Sequence, residues 1–130
     1  MPWVDVFAVF LVSHLVGDYL LQTDWQARHK HRGLSGDPIA LRALVSHVLT
    51  YTLAFVPALV WIAGERGAAT VAVAAAIALP HLVQDDGRCV AAYVRRVKHC
   101  DVEAFPMVGA AVDQTLHVVA LFALALAAGS

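Results

Sequence analysis

Hydrophobic positions along this chain gather into four long runs, at about 3–23, 41–63, 68–86 and 106–128, separated by charged or glycine-containing stretches. Each run approaches the roughly 20 residues that an α-helix needs to cross the hydrocarbon core of a bilayer. Peptide groups in lipid must be satisfied within their own segment, so runs of this length are predicted to be helical. The expected architecture is one all-α domain over residues 1–130, an integral membrane four-helix bundle. The third run, AATVAVAAAIALPHLVQ, is mostly Ala and Val and gains little from facing lipid. Its small side chains suit close helix contacts, which places it inside the bundle. Pro57 and Pro80 each deprive a carbonyl four residues earlier of its amide partner, so a kink is expected at both.

Composition strengthens the membrane expectation: 60% of residues are hydrophobic and the mean hydropathy is +0.69, above the range of ordinary soluble domains. The net charge of −1 points to no nucleic-acid partner. The distribution of charge says more. Arg28, Lys30, Arg32, Arg42, Arg88, Arg95, Arg96 and Lys98 lie on or beside the long connections 24–40 and 87–105, leaving Arg66 alone in the short turn formed with Gly64, Glu65 and Gly67. The positive-inside rule then sets both long connections in the cytoplasm and both termini on the non-cytoplasmic side of a cell (inner or plasma) membrane. Trp3 and Trp61 fall at the outer interface and Trp25 at the inner one. The first run lacks a basic leader and carries His14, Gly17 and Asp18, so it is expected to be retained rather than cleaved as a signal peptide. Cys89 and Cys100 have no metal-cluster or redox spacing and are expected to stay reduced.

Every run contains one histidine, His14, His47, His81 and His117, and three runs add an aspartate four residues away, Asp18, Asp85 and Asp113. Spacing of four puts a pair on one helix face, about 6 Å apart along the axis. With the topology above, all seven groups fall in the cytoplasmic half of the membrane. Ionisable groups there are costly and mark function, and unpaired buried carboxylates are costlier still. A divalent metal would satisfy them. Imidazole and carboxylate donors without thiolate suit zinc first, with iron or manganese as alternatives. Seven candidates exceed the four ligands of a tetrahedral zinc, so they suit two ions, or one ion whose imidazoles are oriented by the remaining carboxylates. A metal-free His–Asp hydrogen-bond network is the main alternative. Gln22, Gln84, Gln114 and Tyr51 are placed to donate hydrogen bonds to such a cluster, whereas His29, His31 and His99 belong to loops facing solvent or lipid headgroups.

The ordered set His14-Leu-Val-Gly-Asp18-Tyr-Leu-Leu-Gln22 followed by Trp25, a lone His47, His81-Leu-Val-Gln-Asp85, and Asp113-Gln114-Thr-Leu-His117 resembles a bacterial and phage membrane family, domain of unknown function 3307. The likeness covers nearly the whole chain and implies a small helical membrane protein without an established activity. Tyr19 stands where the family is expected to have another aromatic, and Arg88 where a lysine often follows. A looser similarity to membrane-bound proteins named as metal-dependent hydrolases adds little weight, because that naming rests on the same motif types.

The sequence therefore favours a metal-dependent hydrolase acting on a lipid-linked or amphipathic substrate at the cytoplasmic leaflet, with Asp85 or Asp18 as general base. A structural metal clamp is its nearest rival. A metal-ion or proton transporter would require polar groups in the outer half as well, and a bis-His haem protein would leave three aspartates unexplained. Metal identity, substrate and oligomeric state stay open.

Overall fold

The computed structural model describes residues 1–129, and among these the secondary structure is entirely helical. Helix α1 (Trp3–Leu15) continues as a π-helical turn, Val16–Leu20. After the short α2 (Asp24–His29) come α3 (Pro38–Ala54), α4 (Val56–Arg66), α5 (Thr70–Asp85), α6 (Arg88–Tyr93) and α7 (Pro106–Ala128). Among the described residues three helical stretches are long and apolar enough to cross a membrane, Trp3–Leu20, Val56–Asp85 and Pro106–Ala128, and Pro38–Ala54 is a shorter apolar helix.

Local sequence explains the boundaries. Asp37 caps α3 by accepting from the Ile39 amide at 2.9 Å, with Pro38 opening the helix where a missing N–H costs nothing. The break between α3 and α4 falls at Phe55, two residues ahead of Pro57. Helix α5 runs through Pro80 without interruption. The stretch from Val56 to Asp85 is not a single rod, because a 3₁₀ turn at Gly67–Ala69 interrupts it, with Gly67 at φ +52°. His81 Nε2 lies 3.1 Å from His47 Nε2; 34 residues of straight helix would hold them about 50 Å apart. The chain therefore reverses at this turn.

Two layers stack along the helix axes. One is apolar, with Val6, Phe10, Phe55, Ile62, Ile77 and Leu121 packed together. At its far end the Met1 ammonium pairs with Glu65 at 3.2 Å, Arg66 donates to the Ala128 carbonyl, and Trp3 meets Phe122 edge to face. The other layer holds the buried histidines and aspartates. Around both, Val12, Leu20, Leu49, Leu53, Val60, Val71 and Leu79 are mostly exposed. A chain that buries imidazoles and carboxylates while presenting aliphatic side chains outward has the inverse of the soluble pattern and marks a membrane-associated protein.

The Ala-rich third run does not lie inside the helix cluster. Helix α5 buries one face, Val73, Ile77, His81 and Asp85, and turns Val71 and Leu79 outward. Spacing of four gives a single buried stripe, and beside it Gln84 donates to the Leu116 carbonyl of α7 at 3.3 Å.

Candidate metal centre

The site begins with an irregular turn. At Val16–Leu20 the helix widens so that the Leu21 amide reaches the Val16 carbonyl five residues back, at 3.0 Å. Gly17 lies in this turn against α3. A Cβ at that position would stand 2.6 Å from Tyr51 Cδ2 and 3.3 Å from Tyr51 Cα, so only glycine lets the two helices approach this closely. Tyr51 in turn stacks flat on the His81 ring, 3.4 Å between centroids and 5° between planes.

Tyr51 starts a directed hydrogen-bond chain. Its hydroxyl donates to His14 Nδ1 at 3.0 Å, His14 Nε2–H donates to Gln114 Oε1 at 3.0 Å, and the Gln114 amide donates to Asp18 Oδ2 at 3.3 Å and Asp113 Oδ2 at 3.2 Å. One tautomer of His14 and one orientation of Gln114 serve every partner, the carboxylates being obligate acceptors. His14 thus has both ring nitrogens engaged and stands apart from the groups able to hold an ion.

Among the described residues those groups are two. Asp18, His47, His81 and Asp85 bring one ligand atom each to a common point, and Asp85, Asp113 and His117 form a second set sharing Asp85. In the first, His47 Nε2 lies 3.1 Å from Asp18 Oδ1, 2.8 Å from Asp85 Oδ2 and 3.1 Å from His81 Nε2. His81 Nε2 is 3.5 Å from Asp18 Oδ1 and 3.3 Å from Asp85 Oδ2. In the second, His117 Nδ1–H donates to the Asp113 carbonyl at 2.7 Å, which leaves Nε2 as a lone pair facing Asp85 Oδ1 at 3.2 Å. Asp18 Oδ1, Asp85 Oδ1 and His117 Nε2 are buried without an aligned hydrogen-bond partner, as are Nδ1 of His47 and His81. Asp85 Oδ1 and His117 Nε2 face each other as buried acceptors without a donor between them, which is costly, and a cation there relieves the cost.

Lys30, counted from sequence only among the loop cations, belongs to this cluster. Its ammonium, nearly buried, donates to Asp85 Oδ2 at 2.6 Å and to Gln22 Oε1 at 2.7 Å. Helix α2 carries it there: Thr23 and Gln26 form a reciprocal capping box, and the Gln26 side chain anchors to Ser46 on α3 at 3.2 Å. The pattern Thr-x-x-Gln before a short amphipathic segment was the available signal. A cavity of about 490 Å³ opens beside it, lined by Gln22, Lys30, Gln84, Asp85, Asp113 and Gln114 among others. His31 reaches the wall of this cavity, whereas His29 bonds to the Trp25 carbonyl and His99 is exposed.

The connections on this side are tied together just outside the apolar stretch. Asp86 accepts from the Leu34 amide at 2.8 Å and from Arg88 at 2.6 Å, and its carbonyl receives the Arg32 amide at 2.8 Å. Burial pushes the Asp86 carboxyl up, but the hydrogen bonds from Arg88 and Leu34 outweigh it and hold the group below its ordinary value.

No curated protein and no solved structure matches this chain. The family model described as "Protein of unknown function (DUF3307)" matches residues 6–129, and the chain belongs to that family.

Proposed function

We propose that the protein is a membrane-embedded metalloprotein, a zinc-dependent hydrolase that acts on a lipid-linked or amphipathic substrate at the cytoplasmic leaflet. The observation that carries this is the spacing of the first ligand set. Tetrahedral zinc with bonds of about 2.0–2.1 Å has ligand–ligand edges of about 3.3 Å, and the five edges given above run from 2.8 to 3.5 Å. Four protein ligands close that position, which suits an ion that organises the site. The second set offers three, Asp85, Asp113 and His117, and leaves a position open toward the cavity, as catalytic zinc does. Asp85 would bridge the two ions through Oδ2 and Oδ1, in the manner of paired sites about 3.5–4 Å apart. An ion with an open position supplies a Lewis acid and brings water into a reactive form near neutral pH. Asp18 and Asp85, both expected from sequence as candidate bases, are committed to ligation in this scheme. Asp113 is a ligand as well, but with a quarter of its side chain exposed it is the one carboxylate whose second oxygen is placed to take a proton from water in the cavity.

In this reading four crossings would frame the site: Trp3–Leu20, a bent second crossing over residues 38–66, Thr70–Asp85 and Pro106–Ala128. Eight of the nine basic residues lie at the end that carries the ligand cluster, which supports cytoplasmic long connections and external termini. A metal-free polar network is the competing function, and the Lys30–Asp85 pair favours it by supplying one cation without an ion.

Zinc titration of the detergent-purified protein, followed by turnover of amphipathic esters and phosphoesters, separates the two. Tight zinc binding, with hydrolysis lost in Asp113→Asn while the zinc of the first ligand set is retained, supports the hydrolase. A folded protein that takes up no divalent ion contradicts it.

A further inference from the structure

We infer that the substrate of this site is a phosphate ester, and that the second ion binds together with its phosphate. The inference rests on the two-ion reading above and adds the charge balance of the pocket. Asp18, Asp85 and Asp113 supply three negative charges, and Lys30 supplies one positive charge at 2.6 Å from Asp85. One divalent ion therefore makes the cluster neutral. A second leaves two positive charges uncompensated among buried side chains, which a low-dielectric site resists. A phosphate monoester brings about 1.5 to 2 negative charges at neutral pH and removes that excess, whereas a diester brings only one. A neutral carboxylic ester or amide brings none.

Lys30 gives the phosphate a partner. An ion on Asp85 Oδ2 competes for the oxygen that Lys30 now holds, and so releases the ammonium toward the cavity whose wall it already forms. Gln22, the other acceptor of Lys30, and Gln84 line the same wall. At about 490 Å³ the space lies within the roughly 300–1,000 Å³ of small-ligand pockets, enough for a headgroup and its proximal chain. Phosphate on a lipid and free phosphate share this chemistry, so both are tested.

The experiment is the zinc content of the whole protein in detergent micelles at fixed free zinc. It is measured alone, with inorganic phosphate, and with phosphatidic acid in the micelle, using phosphatidylcholine as the control lipid. The expected result is one zinc alone and two with a phosphate monoester. A response to phosphatidic acid but not to inorganic phosphate assigns a lipid phosphate monoester, and a response to inorganic phosphate alone assigns a water-soluble one. Lys30→Met should admit more of the second zinc without phosphate, because the excess charge falls, while weakening phosphate binding at least tenfold. Asp113→Asn should stay at one zinc throughout and serves as the second variant. One zinc that is indifferent to both phosphates, or two zincs without either, overturns the inference while leaving a metalloprotein. No zinc at all overturns the underlying reading as well.

Discussion

Replacing Asp85 with Asn preserves the shape of the side chain and removes the charge that holds Lys30. The ammonium and the carboxylate are 10% and 1% exposed, and 2.6 Å apart. At an effective dielectric of about 20, charge centres roughly 3.5 Å apart attract by about 5 kcal/mol. Desolvation offsets much of that in the intact pair, but deleting one partner strands the other, at a cost of about 3–5 kcal/mol. Asn retains an acceptor oxygen for Lys30, so the lower end, about 3 kcal/mol, is expected for Asp85→Asn. Adding Lys30→Met removes the stranded charge, and the double variant should recover to within about 1 kcal/mol of the parent. Reversible unfolding in mixed micelles with a chelator present measures the cycle without any metal contribution. If Asp85→Asn costs less than about 1 kcal/mol, or if the double variant is no more stable than the single one, the pair is not the internal counterion described above.

Gly17→Ala should destabilise the protein by about 1–3 kcal/mol, since its Cβ would meet Tyr51 Cδ2 at 2.6 Å and must displace α3 or the stacked ring; an unchanged unfolding midpoint would show that the helices adapt freely. For Asp86 the folded pKa lies below the ordinary value, so its stabilising share is complete above about pH 4 and is lost as pH falls through the folded value. Asp86→Asn should therefore weaken the protein near neutrality, with the difference shrinking in acid; a difference independent of pH would contradict the role of Arg88 and Leu34. Cys89, exposed on the α6 connection, should react with a membrane-impermeant maleimide only after the cell membrane is opened. Labelling in intact cells would reverse the proposed topology.

The helical fold was legible because long apolar runs leave few alternatives, and the i to i+4 spacing carried real geometry. His14–Asp18, His81–Asp85 and His117–Asp113 approach to between 3.3 and 3.7 Å. The division of labour among the histidines was not legible. Whether an imidazole faces an ion or a hydrogen bond depends on what crosses from other helices, and His14 is claimed by Tyr51 and Gln114, which lie 37 and 100 residues away. Lys30 was hidden for a similar reason: a basic residue in a connection satisfies the topology rule wherever it points, and only the fold of α2 sends this one inward. The outward face of α5 was misjudged from composition, because Ala and Val pack against helices and face lipid about equally well.

The central claim, that Asp18, His47, His81 and Asp85 hold a divalent ion, is tested most directly by X-ray absorption of the protein carrying one equivalent of zinc. The predicted first shell is four nitrogen or oxygen atoms at about 2.0–2.1 Å, including two imidazoles. His47→Ala should reduce the imidazole count to one. A sulfur neighbour at about 2.3 Å, a shell of oxygen alone, or a set of four imidazoles that includes His14 would contradict the account.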